Sequence, residues 1–273
     1  MGALFQGSRP TRETLNGLGN FSRAIAMMTF DVQEQKILET GRCWIFPASS
    51  SNTGQSYQTQ LLRDSDLDLS LFGFDVPFHA PENPHQASGK RFFHLIFILR
   101  HIGLRHLYAF SGWKATAAEV DAATDALSAW MHSNHESARE CLLHAGALFG
   151  DVRGQTYKVS FDPLFLLISI LCFWVYQKLS PDNDSSGGDR KPILRIDYDV
   201  DETTARSWIQ GKSHYAVHIT GVGRLTGQDS AVRLLKELRR ILLLQTSWTT
   251  FHEGLAKCVS QMIKGEKPLE PGM

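Results

Sequence analysis

PLFLLISILCFWVYQ, residues 163–177, is the stretch of this chain that decides the fold. It carries no charge, and its apolar side chains fall on nearly every side of a helix, which is typical of a helix buried in a core or in a membrane. Asp162, directly before the run, and Pro163, its first residue, are residue types that favour an N-cap and the first helical position. Spanning a bilayer takes about 20 apolar residues, and this run ends at Gln177, before Lys178. We therefore expect a central core helix.

The composition suits a chain with a substantial core. Of the 273 residues, 42% are apolar, which is enough for one large domain or two small ones. The 28 Lys and Arg residues balance the 28 Asp and Glu residues, so the formal net charge is zero. A protein that binds nucleic acid through its own surface usually has an excess of cationic side chains. The balance therefore does not predict nucleic-acid binding, although it leaves room for a local basic patch.

The cysteines indicate a reducing compartment. Cys43, Cys141, Cys172 and Cys258 are far apart in sequence, which matches neither a zinc ribbon nor a small disulfide framework. The N-terminal residues contain no apolar stretch of the kind that a secretory signal needs, so we expect no signal peptide.

The pattern is less regular before residue 90 than after it. Residues 21–38 have helical periodicity, whereas residues 73–89 are rich in Pro and Gly, as a connection is. We predict a partly helical, loop-rich segment over residues 1–89 and a helical domain over residues 90–273.

Helical patterns precede the central run. They cover residues 90–110, residues 116–130, and a stretch from Ser133 or Asn134 to a stop near Gly150. Gly103 is a weak point in the first of them. Thr116 and Glu119 have the spacing of a capping box, so the start of the second is well defined.

A short extended segment and further helices follow the central run. We predict an extended piece over 193–198, a short helix that begins at Asp201 or Thr203 and carries Trp208, and a connection over 211–226. Asp229 or Ser230 caps the most amphipathic helix, and its cations Arg233, Lys236, Arg239 and Arg240 lie off the apolar stripe of Leu234, Leu235, Leu238, Ile241 and Leu242. A last helix carries Trp248, Phe251, Leu255, Val259 and Met262.

The segment GVGRLTG, residues 221–227, has some features of a phosphate-binding loop. A strand-like stretch precedes it and a helix follows, so its glycines could let the backbone approach a phosphate. The spacing of Gly221, Gly223 and Gly227 is GxGxxxG, however, and dinucleotide folds use GxGxxG followed by further βαβ units and an acidic residue. We favour a tight turn before a helix.

Three other clusters carry residues capable of chemistry, and for each we favour a structural role. The possible metal ligands are His132, His135, Glu136, Glu140, Cys141 and His144. The possible anion patch is Lys90, Arg91, His94, Arg100, His101, Arg105 and His106, which we interpret as a solvated helix face. The possible cation site is Asp197, Asp199 and Asp201, which alternate as they would on one side of a strand. The first cluster is an incomplete zinc site, because a structural zinc needs a closed set of four ligands and the sequence has no second matching pair, such as CxxC, elsewhere.

The chain contains no GxSxG elbow and no local signature of a cysteine nucleophile. We therefore predict no catalytic, cofactor-binding or metal-binding residue.

A spaced pattern of apolar and aromatic residues in the second half resembles the C-terminal part of the fungal-specific transcription factor domain. The pattern runs from Ala126–Trp130 through Ala138–Ala145, Asp162-Pro163, Phe173–Tyr176, Leu194–Asp197, Trp208-Ile209, Gly221–Gly223, Leu234–Glu237 and Trp248. The resemblance implies a mainly α, irregular bundle-like regulatory domain that is nuclear and not catalytic. It also gives the glycine turn and the tryptophans a role in packing.

The chain departs from that family in one respect, because it has no zinc-finger or binuclear zinc-cluster motif. The DNA reader therefore does not carry over, and we expect protein partners of the transcription machinery, or self-association, rather than DNA or a membrane. The chain would be a fragment of a longer zinc-finger protein, a shortened gene product, or a regulator that works through partners.

The alternatives to a regulatory domain are a nucleotide- or small-ligand-binding enzyme that uses Gly221–Gly227, and an interfacial membrane protein anchored by residues 164–175.

Overall fold

The computed structural model describes residues 84–154, 161–180, 191–198, 200–225, 229–244 and 249–264. The chain divides into two compact units, residues 1–96 and 97–273. Of the first unit only the stretch from residue 84 to residue 96 is described. The predictions for the helix at 21–38 and for the remainder of the N-terminal segment lie outside the described residues, and the proposed boundary near residue 90 stays a prediction.

Within the described residues the fold is mainly α, as predicted. The elements are α1 (Pro84–His101), α2 (Leu104–Phe110), α3 (Ala117–Ser133), α4 (His135–Gly154), α5 (Asp162–Leu179), β1 (Ile193–Arg195), α6 (Glu202–Ile209), β2 (Ala216–Ile219), β3 (Gly223–Arg224), α7 (Asp229–Leu243) and α8 (Thr249–Lys264).

Helix α5 is the centre of the second unit. It packs against α2, α3, α4 and α7, so its apolar side chains are covered on several sides. Phe165, Ile170 and Phe173 on it are completely buried. Among the described residues it is the one helix long and apolar enough to cross a membrane, with a mean hydropathy of 1.4, but 67% of it is buried within the protein. It therefore packs as the core helix that the sequence predicts.

Helix boundaries follow local capping chemistry. The Thr116 hydroxyl accepts the Glu119 backbone N–H, and the Glu119 carboxylate accepts the Thr116 backbone N–H at 2.9 Å, which completes the predicted capping box. Asp201 caps α6 by accepting the Thr204 backbone N–H at 2.8 Å. Gly103 separates α1 from α2 with an extended backbone, as expected.

Three predicted boundaries were wrong. Helix α1 begins at Pro84, inside the stretch predicted as a connection, because proline fits the first turn of a helix. Helix α5 begins at Asp162 itself, and Phe161 is the N-cap. Helix α4 continues through Gly150 to Gly154.

A small three-stranded sheet interrupts the helices. Strand β1 pairs in parallel with β2, with Leu194 opposite Val217, and β2 pairs with β3 in antiparallel fashion. The predicted extended piece at 193–198 is thus a strand only to Arg195, and the predicted connection at 211–226 contains two strands. Gly221, in the turn between β2 and β3, and Gly223, at the start of β3, have φ angles of 86° and 92°, a conformation that residues with a Cβ rarely adopt.

Two glycines of α4 let the segment after β1 lie directly against the helix. A Cβ on Gly146 would lie 2.2 Å from the Ile196 carbonyl oxygen, and one on Gly150 would lie 2.3 Å from the Asp197 carbonyl oxygen. Both obstacles are backbone atoms that no side-chain rotation can move. Gly150 is therefore a packing position inside the helix, which explains why it does not end α4.

The chain's last two helices pack on each other, and α7 also packs on α5. The predicted stripe of α7 is buried, from Leu234 to Leu242. In α8 the buried residues are His252, Ala256 and Val259, whereas the predicted core residue Phe251 is 50% exposed. Trp248 lies outside the described residues.

We expect Gly146→Ala to destabilise the protein by about 1–3 kcal/mol, the usual cost of forcing extra volume into a packed site. The cause is the contact with the Ile196 carbonyl oxygen. Urea denaturation followed by circular dichroism measures the change. The matched control is Gly254→Ala in α8, where an added Cβ meets nothing within 4 Å and helix propensity predicts a gain of up to about 1 kcal/mol. Equal effects of the two substitutions would contradict the packing argument.

Candidate functional site

The described part of the glycine segment, residues 221–225, includes a turn that faces a carboxylate. A Cβ on Gly221 would lie 2.8 Å from Glu237 Oε1, so the backbone of the turn sits against the Glu237 side chain. Glu237 is buried and accepts from Arg240 Nε at 2.7 Å and Arg240 Nη2 at 2.6 Å. A phosphate at this turn would meet the negative charge of Glu237, so the geometry gives the nucleotide reading no support. Gly227 lies outside the described residues.

The possible metal ligands between His132 and His144 do not converge. His132, His135 and Glu136 are exposed, whereas Cys141 is buried in the core. His132 Nδ1 lies 2.7 Å from the Ser128 carbonyl oxygen of its own helix. Within the described residues no group of three or more His, Cys, Asp or Glu side chains could hold a metal ion. The structural interpretation of this cluster fits the geometry.

Burial favours the neutral forms of the Cys141 and Cys172 thiols and of the His144 imidazole. Burial raises the pKa of Cys141 and raises that of Cys172 to about 12, so both stay protonated and poorly nucleophilic. Burial, with a smaller contribution from the charge of His101, lowers the pKa of His144 to about 3. The His144 ring stacks on Phe97 with 3.8 Å between ring centroids.

The predicted solvated face on α1 and α2 was wrong for part of the cluster. Lys90, Arg91 and His94 are buried, with Arg91 only 1% exposed, whereas Arg105 and His106 are exposed. These residues therefore do not form one continuous basic surface.

The two described members of the acidic trio have separate structural roles. Asp201 caps α6, and Asp199 lies outside the described residues. The Asp197 side chain is fully buried and pairs with Arg153 Nη2 of α4 at 2.8 Å. Its carboxylate also accepts the Thr220 backbone N–H at 3.0 Å, while Arg153 donates to the Thr220 carbonyl oxygen. We call Arg153, Asp197 and Thr220 the aspartate clamp.

A second arginine of α4 holds α6. Arg139 is buried and donates through Nη1 to the Trp208 carbonyl oxygen at 2.9 Å, and its guanidinium lies 5.9 Å from the centre of the Trp208 ring. The interaction is both a hydrogen bond and a cation–π contact. Trp208 is thus a packing residue, as expected, but its partner was not foreseen from the sequence.

An open groove lies between α7 and α8. It encloses about 520 Å³ and is lined by Lys236, Arg239, Arg240, Leu243, Leu244, Ser260, Ile263 and Lys264. The predicted cations of α7 are exposed, as expected. The apolar stripe predicted from the sequence ends at Leu242 and leaves out Leu243 and Leu244, whose side chains are 49% and 65% exposed. The uninterrupted apolar run at the end of α7 is the signal that could have revealed them.

Comparison with known proteins finds one kind of similarity. A protein of Gibberella fujikuroi named "Transcription factor" is 29% identical over 155 residues, which is 57% of this chain. The chain spans about a fifth of that relative's length, since the matched part is 20% of it. No family model matches the chain, and no solved structure matches it. The similarity supports a transcription-factor-like region in this chain.

We expect Asp197→Asn to destabilise the protein by about 1–3 kcal/mol, because the clamp loses its charge-assisted hydrogen bonds while Arg153 stays partly buried. Chemical denaturation measures the loss. Asp125→Asn removes an equal charge from an exposed position of α3 and should change stability by no more than about 0.5 kcal/mol. An Asp197→Asn protein as stable as the control would show that the clamp contributes nothing.

We expect His144 to make the protein less stable in acid. Its pKa is about 3 when folded against 6.5 when unfolded. Its neutral form therefore stabilises the fold above pH 6.5, and that contribution is lost as the pH falls towards 3, because only the unfolded chain takes up the proton. Relative to His144→Phe, which keeps an aromatic ring beside Phe97, the wild type should lose about 1.4 kcal/mol per pH unit below about pH 6.

Unfolding free energies measured in urea at several pH values test this expectation. Exposed His132, replaced by Phe, is the control and should keep the pH dependence of the wild type. If His144→Phe and the wild type lose stability in parallel between about pH 6 and pH 4, the neutral imidazole of His144 is not the cause.

Proposed function

We propose that this chain is a non-catalytic transcription-regulatory domain of the nucleus, of the kind found in fungal-specific transcription factors. It acts by binding protein partners, or a second copy of itself, on its helix faces. Sequence-specific DNA contact is made by a separate module or a partner. The observation that carries the proposal is the similarity to the Gibberella fujikuroi transcription factor over 57% of this chain.

The placement of the candidate chemical residues supports a non-catalytic role. Among the described candidates, Cys141 and Asp197 are buried in packing, Asp201 caps α6, and the Gly221 turn lies against the Glu237 carboxylate, while no group of three or more His, Cys, Asp or Glu side chains could hold a metal ion. Asp197, a member of the possible cation site, pairs with Arg153 and holds the sheet to α4 instead. The reactive groups of the core are thus used for stability.

A regulatory domain also needs an accessible surface, and α7 and α8 supply one. Leu243 and Leu244 are exposed beside the cations of α7. Large exposed apolar side chains that lie together are typical of surfaces that bind other proteins. This arrangement supports partner binding as the means of regulation.

The direct test fuses the whole chain to a heterologous DNA-binding domain and measures a reporter gene that carries the matching sites in a fungal host. We expect expression to change, up or down, relative to the DNA-binding domain alone. A fusion of the destabilised Gly146→Ala chain is the matched control, and its effect should be smaller in proportion to its folded fraction. A folded, nuclear fusion that leaves the reporter unchanged would contradict the proposal.

A further inference from the structure

The groove between α7 and α8 is strongly cationic. Lys236, Arg239 and Arg240 line it from α7, and Lys264 lines it from α8. Arg240 is paired with Glu237, and Arg239 donates through Nε to the Ser260 hydroxyl at 2.9 Å. Lys236 and Lys264 are exposed and contact no carboxylate among the described residues. The described residues that line the groove therefore carry an excess of positive charge, in a chain whose formal net charge is zero.

The same groove has an apolar lining. Leu243 is 49% exposed, Leu244 is 65% exposed, and Ile263 faces them from α8. Their exposed apolar surface would be released from water by a partner that brings apolar side chains of its own. A ligand bound through charge alone would leave these side chains exposed to water.

These two properties together point to one chemical class of partner. Nucleic acid contacts proteins mainly through phosphates, which would use the four cations but not the leucines. An acidic peptide with apolar side chains would use both. Helices α7 and α8 form the two walls of the groove. Amphipathic helices bind partner proteins by laying their apolar face into such a groove.

We propose that the groove formed by α7 and α8 is the docking site for an acidic, amphipathic helical segment of a protein partner. Its carboxylates pair with Lys236, Arg239 and Lys264, and its apolar side chains cover Leu243, Leu244 and Ile263. Complementary charge guides the encounter, and apolar burial provides most of the residence time. This inference rests on the proposed function, because it names the surface and the partner chemistry of that regulatory role.

The test measures binding of a fluorescein-labelled helical peptide, with Asp and Glu on one face and Leu and Phe on the other, to the full chain by fluorescence anisotropy. We expect saturable binding. Lys236→Glu/Lys264→Glu should weaken binding by about tenfold or more through charge reversal, and Leu244→Ser should weaken it by about fivefold or more through lost apolar contact. Both lysines and the leucine are exposed, so the variants should fold, which circular dichroism verifies.

The matched control is Lys212→Glu/Lys257→Glu, which makes the same charge change at two exposed positions outside the groove. It should bind the peptide nearly as well as the wild type. A second peptide that keeps the acidic residues but has Ser in place of Leu and Phe should bind much more weakly. Equal loss in both double variants, equal binding of both peptides, or no peptide binding at all would overturn the proposal.

Two other probes test the other classes of ligand that a cationic groove could bind, nucleic acid and anionic membranes. Duplex DNA and vesicles with anionic headgroups should bind more weakly than the amphipathic peptide at physiological salt, and tighter binding of either would overturn the assignment.

The reporter assay distinguishes failure of the groove from failure of the proposed function. A wild-type effect that Lys236→Glu/Lys264→Glu leaves unchanged overturns the groove alone, whereas a wild-type chain with no effect contradicts the regulatory role.

Discussion

The arrangement of the second unit depends on the buried carboxylate of Asp197. It lies after β1, is held by Arg153 of α4, and accepts the backbone N–H of Thr220 at the end of β2. A buried charge is costly unless it is paired and hydrogen-bonded, so the carboxylate holds its partners where they are. The helix and the sheet thus share one polar centre, although these three residues come from separate parts of the sequence.

Close backbone approach makes that polar centre geometrically possible. Gly146 and Gly150 lie one helical turn apart on α4 and leave room for the Ile196 and Asp197 backbone. Arg139, near the start of the same helix, holds α6 through the Trp208 carbonyl oxygen. Helix α4 therefore packs on the core helix α5 with its apolar side chains and organises the sheet and α6 with its glycines and arginines.

Periodicity and capping chemistry predicted the parts of the fold that depend on neighbouring residues. The central helix, the Thr116 capping box and the buried stripe of α7 follow directly from local patterns, and the structure has them. Gly150 was predicted to end a helix because a glycine near the end of a helical pattern usually does. Its actual role depends on Asp197, a residue distant in sequence, and no local pattern contains that information.

The surface was harder to predict than the core. The cations of α7 were correctly expected to be exposed, and the resemblance to transcription factors came from spaced aromatic and apolar residues such as Trp208. The groove was not foreseen, because it exists only where α7 and α8 meet and because exposed leucines look like core residues in a sequence. Likewise the glycine spacing favoured a tight turn over a phosphate loop at Gly221, but the position of Glu237 against that turn was not foreseen.

The Gly221 turn also has a mechanical consequence for α7. Glu237 lies under the turn, and Arg233 of the same helix donates to the Arg224 carbonyl oxygen of β3 at 3.1 Å. One wall of the groove is therefore braced by the hairpin on one side and by α5 and α8 on others. A wall held by contacts on several sides loses less conformational entropy on binding than a loosely held one, so the hairpin would preorganise the proposed docking surface, which it does not itself line.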